Sequence, residues 1–251
     1  MIDNTITAAG AVGARIVMPG TVYNFGPDAF PLLDEDSPQN PLTTKGKIRV
    51  ALEQRLEAAA GRGTSVLILR AGDFFGPGAG NNWFAQGLIK PGKPLAFVTN
   101  PGKRGVGHQW AYLPDVAETM MQLIERADML APFARFHMDG FFDADGTEMA
   151  AAIRRVTGKP DLKIKRFPWT VVRLASPFVP LFRELAEMRY LWREPIRMRN
   201  ARLVAMLGSE PQTPIDEAVR ATLLSLGCLD SPVSSVSVTQ VAPSLAGGRS
   251  T

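Results

Sequence analysis

Apolar and polar positions in this chain switch repeatedly between a helical and an extended period. Residues 3–12 are mostly small and apolar, which suits a helix packed closely on a sheet, and residues 16–18 form a short apolar strand. An acidic, proline-containing loop at 34–40 leads to Thr43 or Thr44 as a helix N-cap. From 45 to 60, Ile48, Leu52 and Leu56 recur on one face at helical spacing, and Gly61 and Gly63 end the helix. Residues 64–69 are continuously apolar between breakers. That pattern predicts a strand buried on both faces of a parallel sheet.

A glycine-rich loop is expected at 72–80, then a short helix near 83–89 and strands near 95–98 and 108–113. Asp115 is placed as the cap of a helix running to 124, whose Val116, Met120, Leu123 and Ile124 share a face. Beyond about residue 131 the pattern predicts a strand at 133–138, a helix at 147–156, a strand at 162–167 and then mainly helices. Thr213 as cap and Pro214 in the first turn open the last of them. The tail, 231–251, is rich in Ser, Val, Gly and Pro without periodicity and is expected to be disordered. Strands alternating with helices make the class α/β with a mostly parallel sheet.

Composition narrows the function classes. Hydrophobic residues make up 45% of 251, enough for a substantial core, and the net charge is only +4. Residues 159–202 are visibly basic, but there is no dense basic stripe with stacking aromatics, so nucleic acid is not the expected partner. The single cysteine, Cys228, excludes an internal disulfide or thiolate metal site, and a reducing, cytoplasmic compartment fits. No signal peptide is read at the N-terminus. Residues 169–182 are the most membrane-like stretch, but Arg173, Pro177 and Pro180 interrupt it and it is too short to span, so a buried or surface-lying segment is expected. His108 and His137 are isolated on apolar strands, which suits core or edge histidines better than metal ligands.

Three glycine patterns fall short of a phosphate site. Gly10-Ala-Val-Gly13 closes a helix, Gly87-x-x-x-x-Gly92-Lys93 has Pro94 where a magnesium-binding hydroxyl is needed, and Pro77 removes a donor from Gly76-Pro-Gly-Ala-Gly80.

Pro19-Gly-Thr-Val-Tyr-Asn-Phe-Gly-Pro27 followed by Lys45-Gly-Lys-Ile-Arg49 resembles the fifth strand and following helix of extended short-chain dehydrogenases/reductases, the NAD-dependent epimerase/dehydratase family. Where that family has Tyr-x-x-x-Lys, this chain has Lys45-x-x-x-Arg49, and Pro19 stands at the usual serine position. Leu69-Arg-Ala-Gly-Asp-Phe-Phe-Gly-Pro77 is similar to the family's loop after the sixth strand, and His108-Gln-Trp-Ala-Tyr-Leu-Pro-Asp115 to the segment where sugar-nucleotide epimerases carry a phosphate-binding arginine, here His108.

The resemblance implies a partial Rossmann-like sheet with helices (1–130) and a smaller, mixed, mainly helical substrate region (131–230). It implies NAD or NADP as cofactor, a small-molecule substrate, and hydride and proton transfer on a carbonyl or hydroxyl group. Lys45, Thr21 and Tyr23 become candidate catalytic residues; Arg49, Ala71 and Gly72 candidate cofactor contacts; Asp73, Asn81 and His108 candidate substrate contacts. Arg49 keeps a fixed charge and a forked donor, so it can hold ribose or phosphate but is no base. Lys45 can exchange a proton at neutral pH only if burial or a neighbouring cation destabilises its ammonium. A first-turn surface role for Lys45, Lys47 and Arg49, with Glu53 pairing to Arg49 at i,i+4, stands as the alternative. Because the match begins at the helix before the fifth strand, the first four strands and the pyrophosphate loop are expected to be absent and cofactor binding weak; a non-catalytic protein of the same fold is the rival reading. A homo-oligomer is left open.

Overall fold

The continuous apolar run becomes the centre of the molecule. In the computed structural model, which describes residues 1–230, Val66–Ala71 is a strand buried along its whole length. The expected tail at 231–251 lies outside the described residues. In chain order the strands are β1 (Ile16–Thr21), β2 (Leu32–Leu33), β3 (Val66–Ala71), β4 (Asp73–Phe75), β5 (Phe97–Asn100), β6 (His108–Tyr112), β7 (Phe133–His137), β8 (Phe141–Asp143), β9 (Lys163–Arg166) and β10 (Arg197–Met198). The helices are α1 (Ile2–Val12), α2 (Thr44–Ala60), α3 (Leu113–Ile124), α4 (Glu148–Thr157), α5 (Trp169–Ala175), α6 (Pro180–Glu187), α7 (Ala201–Leu207) and α8 (Ile215–Ser225).

β3 lies between β1 and β7, all parallel. Successive side chains of a strand point to opposite faces, and β3 feeds two cores accordingly. Val66 and Ile68 join Ile16 and Leu56 beneath α1 and α2, while Leu67 and Leu69 join Val116, Leu123 and Leu203 beneath α3 and α7. Each fully buried aliphatic side chain contributes roughly 1.5–3 kcal/mol. The result is a helix, sheet, helix sandwich, the α/β architecture the pattern predicts. A third and larger core, including Phe25, Phe75, Trp110, Ile153, Trp192 and Val219, unites the β4-β6-β8 sheet, α4 and α8.

The helix Thr44–Ala60 starts as expected, with the Thr43 hydroxyl accepting from the Gly46 amide at 2.9 Å. Its inner face follows the expected spacing at Leu52 and Leu56 but not at Ile48. Ile48 is exposed and Glu53 is buried, because β3 carries a fully buried arginine. Arg70 Nε donates to Glu53 Oε1 at 3.0 Å, its Nη2 reaches Oε2, and Nη1 donates to His137 Nε2 at 3.0 Å. The guanidinium also sits 5.2 Å from the Phe25 ring centre. Glu53 therefore pairs with Arg70 across the interior and not with Arg49 along its own helix. A buried charge without a partner is too costly to leave.

Three further expectations are corrected. The glycine-rich stretch 72–80 holds a strand, β4, because Asp73–Phe75 pairs in parallel with Trp110–Tyr112. Asp115 does not cap α3: that helix begins at Leu113 with Pro114 in its first turn, and the Asp115 carboxylate instead accepts from the Thr213 amide (2.8 Å) and hydroxyl (2.6 Å). With its hydroxyl so engaged, Thr213 is not the cap of α8, and Pro214 occupies that position.

Candidate functional site

β1 and β3 end in register at Thr21 and Ala71, and the chain leaving each strand supplies the polar side chains beyond the sheet. The carboxyl ends of parallel strands are where open α/β sheets form their ligand crevice. The Tyr23 hydroxyl donates to Asp73 Oδ1 at 3.4 Å, and His108 Nε2 meets Asp73 Oδ2 at 2.9 Å. β4 carries Asp73 beside Trp110 of β6, which brings His108, two residues earlier on β6, within reach.

The segment after α6 closes over this cluster. His108 stacks on Trp192 with ring centres 3.7 Å apart and planes 6° from parallel, and its Nδ1 lies 3.3 Å from the Leu191 carbonyl oxygen. Both ring nitrogens thus face acceptors, so both donate at once only in the imidazolium form. A small cavity of about 20 Å³ is bounded by Val22, Gly72, Asp73, His108, Leu191 and Ile196. His108 also borders a second cavity of similar size beside Thr99, Asn100 and Met149.

Burial, then the adjacent Asp73 carboxylate, push the Tyr23 hydroxyl well above the usual phenol range; Arg49 opposes this only weakly. Burial followed by Asp73 and Glu187 raises the Tyr190 hydroxyl as well. Both phenols are neutral donors at physiological pH, gathered around one carboxylate.

The structure brings together Tyr23, Asp73 and His108, with Thr21, Ala71 and Gly72 lining the strand ends. The Thr21 hydroxyl accepts from the Tyr23 amide at 3.4 Å. Gly72 passes so close to β6 that a Cβ there would lie 2.2 Å from the Gln109 carbonyl oxygen. Arg49 is half-buried and near enough to act on Tyr23. Lys45 is engaged elsewhere: it is half-exposed and forms an ion pair with Glu184 of α6 at 2.9 Å. It is neither buried nor free of a counter-ion, the conditions that base chemistry requires of a lysine. Asn81 is exposed and bonds only to the Gln86 side chain, among the described residues.

Sequence reasoning missed Trp192, the Leu191 carbonyl and Gln109. Gln109 donates to the Asp139 carbonyl at 2.7 Å and accepts from the Met198 amide at 2.9 Å, fastening β10 over the site. An aromatic run in an otherwise basic stretch, Tyr190-Leu-Trp192, was the one available signal. Among the described residues no cluster of His, Cys, Asp or Glu could hold a metal ion.

The glycine patterns behave as punctuation. Gly13 ends α1 at φ 68°, and the Gly78 amide donates to the Ser225 hydroxyl. The strand, turn, helix passage into α4 has its first amides taken by Asp143, which accepts from Thr147 and Met149 at 3.0 Å each. Self-capping of this kind leaves no free helix terminus there for a pyrophosphate.

No family model matches the chain, and no curated protein does. Solved structures share its fold. It superposes on L-threonine dehydrogenase from Phytophthora infestans (TM-score 0.65, 19% identity, 90% of this chain and 70% of that one). It is likewise similar to RMD from Pseudomonas aeruginosa complexed with NADPH (TM-score 0.60, 17% identity, 89% and 70%) and to a UDP-galactose 4-epimerase (TM-score 0.59, 15% identity, 90% and 66%). The chain therefore has the Rossmann-like α/β fold of these enzymes and spans about two thirds of the length of each.

Proposed function

We propose that this chain supplies the nicotinamide-side and substrate-side part of an NAD(P)-dependent epimerase, dehydratase or reductase acting on a hydroxyl or carbonyl group of a small molecule. The observation that carries this reading is the Asp73 carboxylate, buried at the strand ends and shared by Tyr23 and His108. Its support is the position of that carboxylate in the ligand crevice of the fold and the fold's similarity to NADPH-bound RMD and UDP-galactose 4-epimerase.

Ala71 and Gly72 would lie against the nicotinamide, and Arg49 would hold a ribose hydroxyl or phosphate. When bound, the cofactor supplies a hydride acceptor or donor. The chain's own residues orient the substrate oxygen and move its proton. Tyr23 is a neutral hydroxyl donor toward that oxygen, Asp73 the acceptor for its proton, and His108 the hydrogen-bond partner that holds the second Asp73 oxygen in place. Lys45, held by Glu184, serves better as an anchor than as the proton carrier.

One observation favours a second reading, a non-catalytic NAD(P)-binding or scaffold protein: Tyr23, Asp73 and His108 already satisfy one another. Assay of NADPH oxidation and NAD reduction at millimolar cofactor, with a panel of nucleotide sugars and small ketones and alcohols, separates the two. Turnover that falls at least a hundredfold in Asp73→Asn supports catalysis. Cofactor binding without turnover, unchanged in Asp73→Asn, supports the second reading.

A further inference from the structure

Residues 169–187 fold into the short helical hairpin of α5 and α6, and the hairpin turns its apolar side chains outward. Phe178 is 85% exposed, Leu174 67%, and Val171 and Leu181 57% each. Val171, Leu174 and Phe178 follow helical spacing, so they extend along one side of α5 and into the turn that leads to α6. Clustered exposed apolar side chains mark an interaction surface.

Exposed charge on the hairpin and on β9, which precedes it in sequence, is mainly basic. Lys163, Lys165 and Arg166 of β9, Arg173 of α5 and Arg183 of α6 are all exposed, and none has a carboxylate partner among the described residues. The hairpin's own carboxylates are committed to α2: Glu184 pairs with Lys45, and Glu187 accepts from the Thr44 amide. What remains on the hairpin is exposed apolar surface together with Arg173 and Arg183, while Lys165 of β9 lies over the Phe97 ring at 3.8 Å.

We propose that the α5–α6 hairpin is a docking surface for an anionic lipid bilayer, with Leu174, Phe178 and Leu181 entering the headgroup boundary and Arg173 and Arg183 meeting acidic headgroups. That combination of apolar and cationic faces is the one interfacial helices use. A second copy of the chain fits less well, because an isologous contact would set these cations against one another. The attachment is peripheral: no helix among the described residues is long and apolar enough to cross a membrane.

The test is flotation of the full chain with vesicles of phosphatidylcholine alone or mixed with phosphatidylserine. The expected result is association with the mixed vesicles, weakened by high salt and reduced about tenfold or more in Leu174→Glu/Phe178→Glu. Arg173→Gln/Arg183→Gln, which leaves the apolar residues in place, should lose most of its preference for phosphatidylserine. All these side chains are exposed, so unchanged circular dichroism and melting are expected. Three outcomes would each overturn the proposal: no flotation of the folded wild type, flotation indifferent to both variants, or a soluble dimer that Leu174→Glu/Phe178→Glu converts to monomer without any vesicle binding.

Discussion

Acidification should weaken this chain through His137 in a calculable way. The ring, on β7, is fully buried against Arg70 and Phe25, where burial first and the Arg70 guanidinium second hold its pKa down at about 3. The nearby Leu33 carbonyl and Asp34 counter this only in part; the Leu33 contact falls short of a hydrogen bond, leaving Nδ1 without a partner. In the unfolded chain the same histidine titrates near 6.5. Between these values the unfolded state binds a proton that the native state refuses, so stability is complete above about pH 6.5 and is lost as pH falls toward 3. At about pH 5, some 1.5 units below the unfolded pKa, the loss is about 2 kcal/mol at 1.36 kcal/mol per unit.

Carboxylates titrate in the same range, so the histidine must be isolated by difference. His137→Gln keeps an acceptor for Arg70 and cannot titrate. Urea unfolding of both proteins between about pH 7.5 and 5 should show the wild type losing about 2 kcal/mol more than the variant. Parallel pH profiles for the two would refute the reasoning.

Glu53→Gln leaves the Arg70 charge buried against a neutral amide and should cost about 3–5 kcal/mol in urea unfolding, far more than a surface carboxylate. Gly72→Ala sets a Cβ against the Gln109 backbone, which cannot swing aside, and should destabilise by about 1–3 kcal/mol or more, seen as a lower Tm. Titration calorimetry with NADPH should give a Kd of order millimolar, about 4 kcal/mol of binding, because no glycine turn among those described offers free amides at a helix start. Micromolar binding would show that the pyrophosphate is held by groups not identified above.

Local signals carried most of the fold. β3 was legible as an uninterrupted apolar run, α2 from its threonine cap, and α4, expected at 147–156, runs over Glu148–Thr157. What escaped depended on pairings between distant residues. Glu53 reads as a surface carboxylate until Arg70 is known to lie inside, so the helix face came out rotated toward Ile48. β4 is three residues between glycines, too short for any period, and exists because β6 offers it partners. The candidate site was half visible. Tyr23, Asp73 and His108 were each singled out from the family resemblance, but their convergence on one carboxylate and the stacking of Trp192 needed the parallel pairing of β4 with β6 and the fold of the 188–192 turn.

The two carboxylates that tie α6 to the start of α2 change how mutagenesis of Lys45 must be read. The chain runs from α6 directly into the turn bearing Leu191 and Trp192, so the anchor at Thr44 and Lys45 also sets the height of the ring stacked on His108. Replacing Lys45 would loosen that stack from a distance, and a loss of activity could be mistaken for the loss of a proton carrier. A double-mutant cycle distinguishes the two: if Lys45 acts by anchoring, Glu184→Ala alone reproduces the defect of Lys45→Ala, and combining them adds almost nothing.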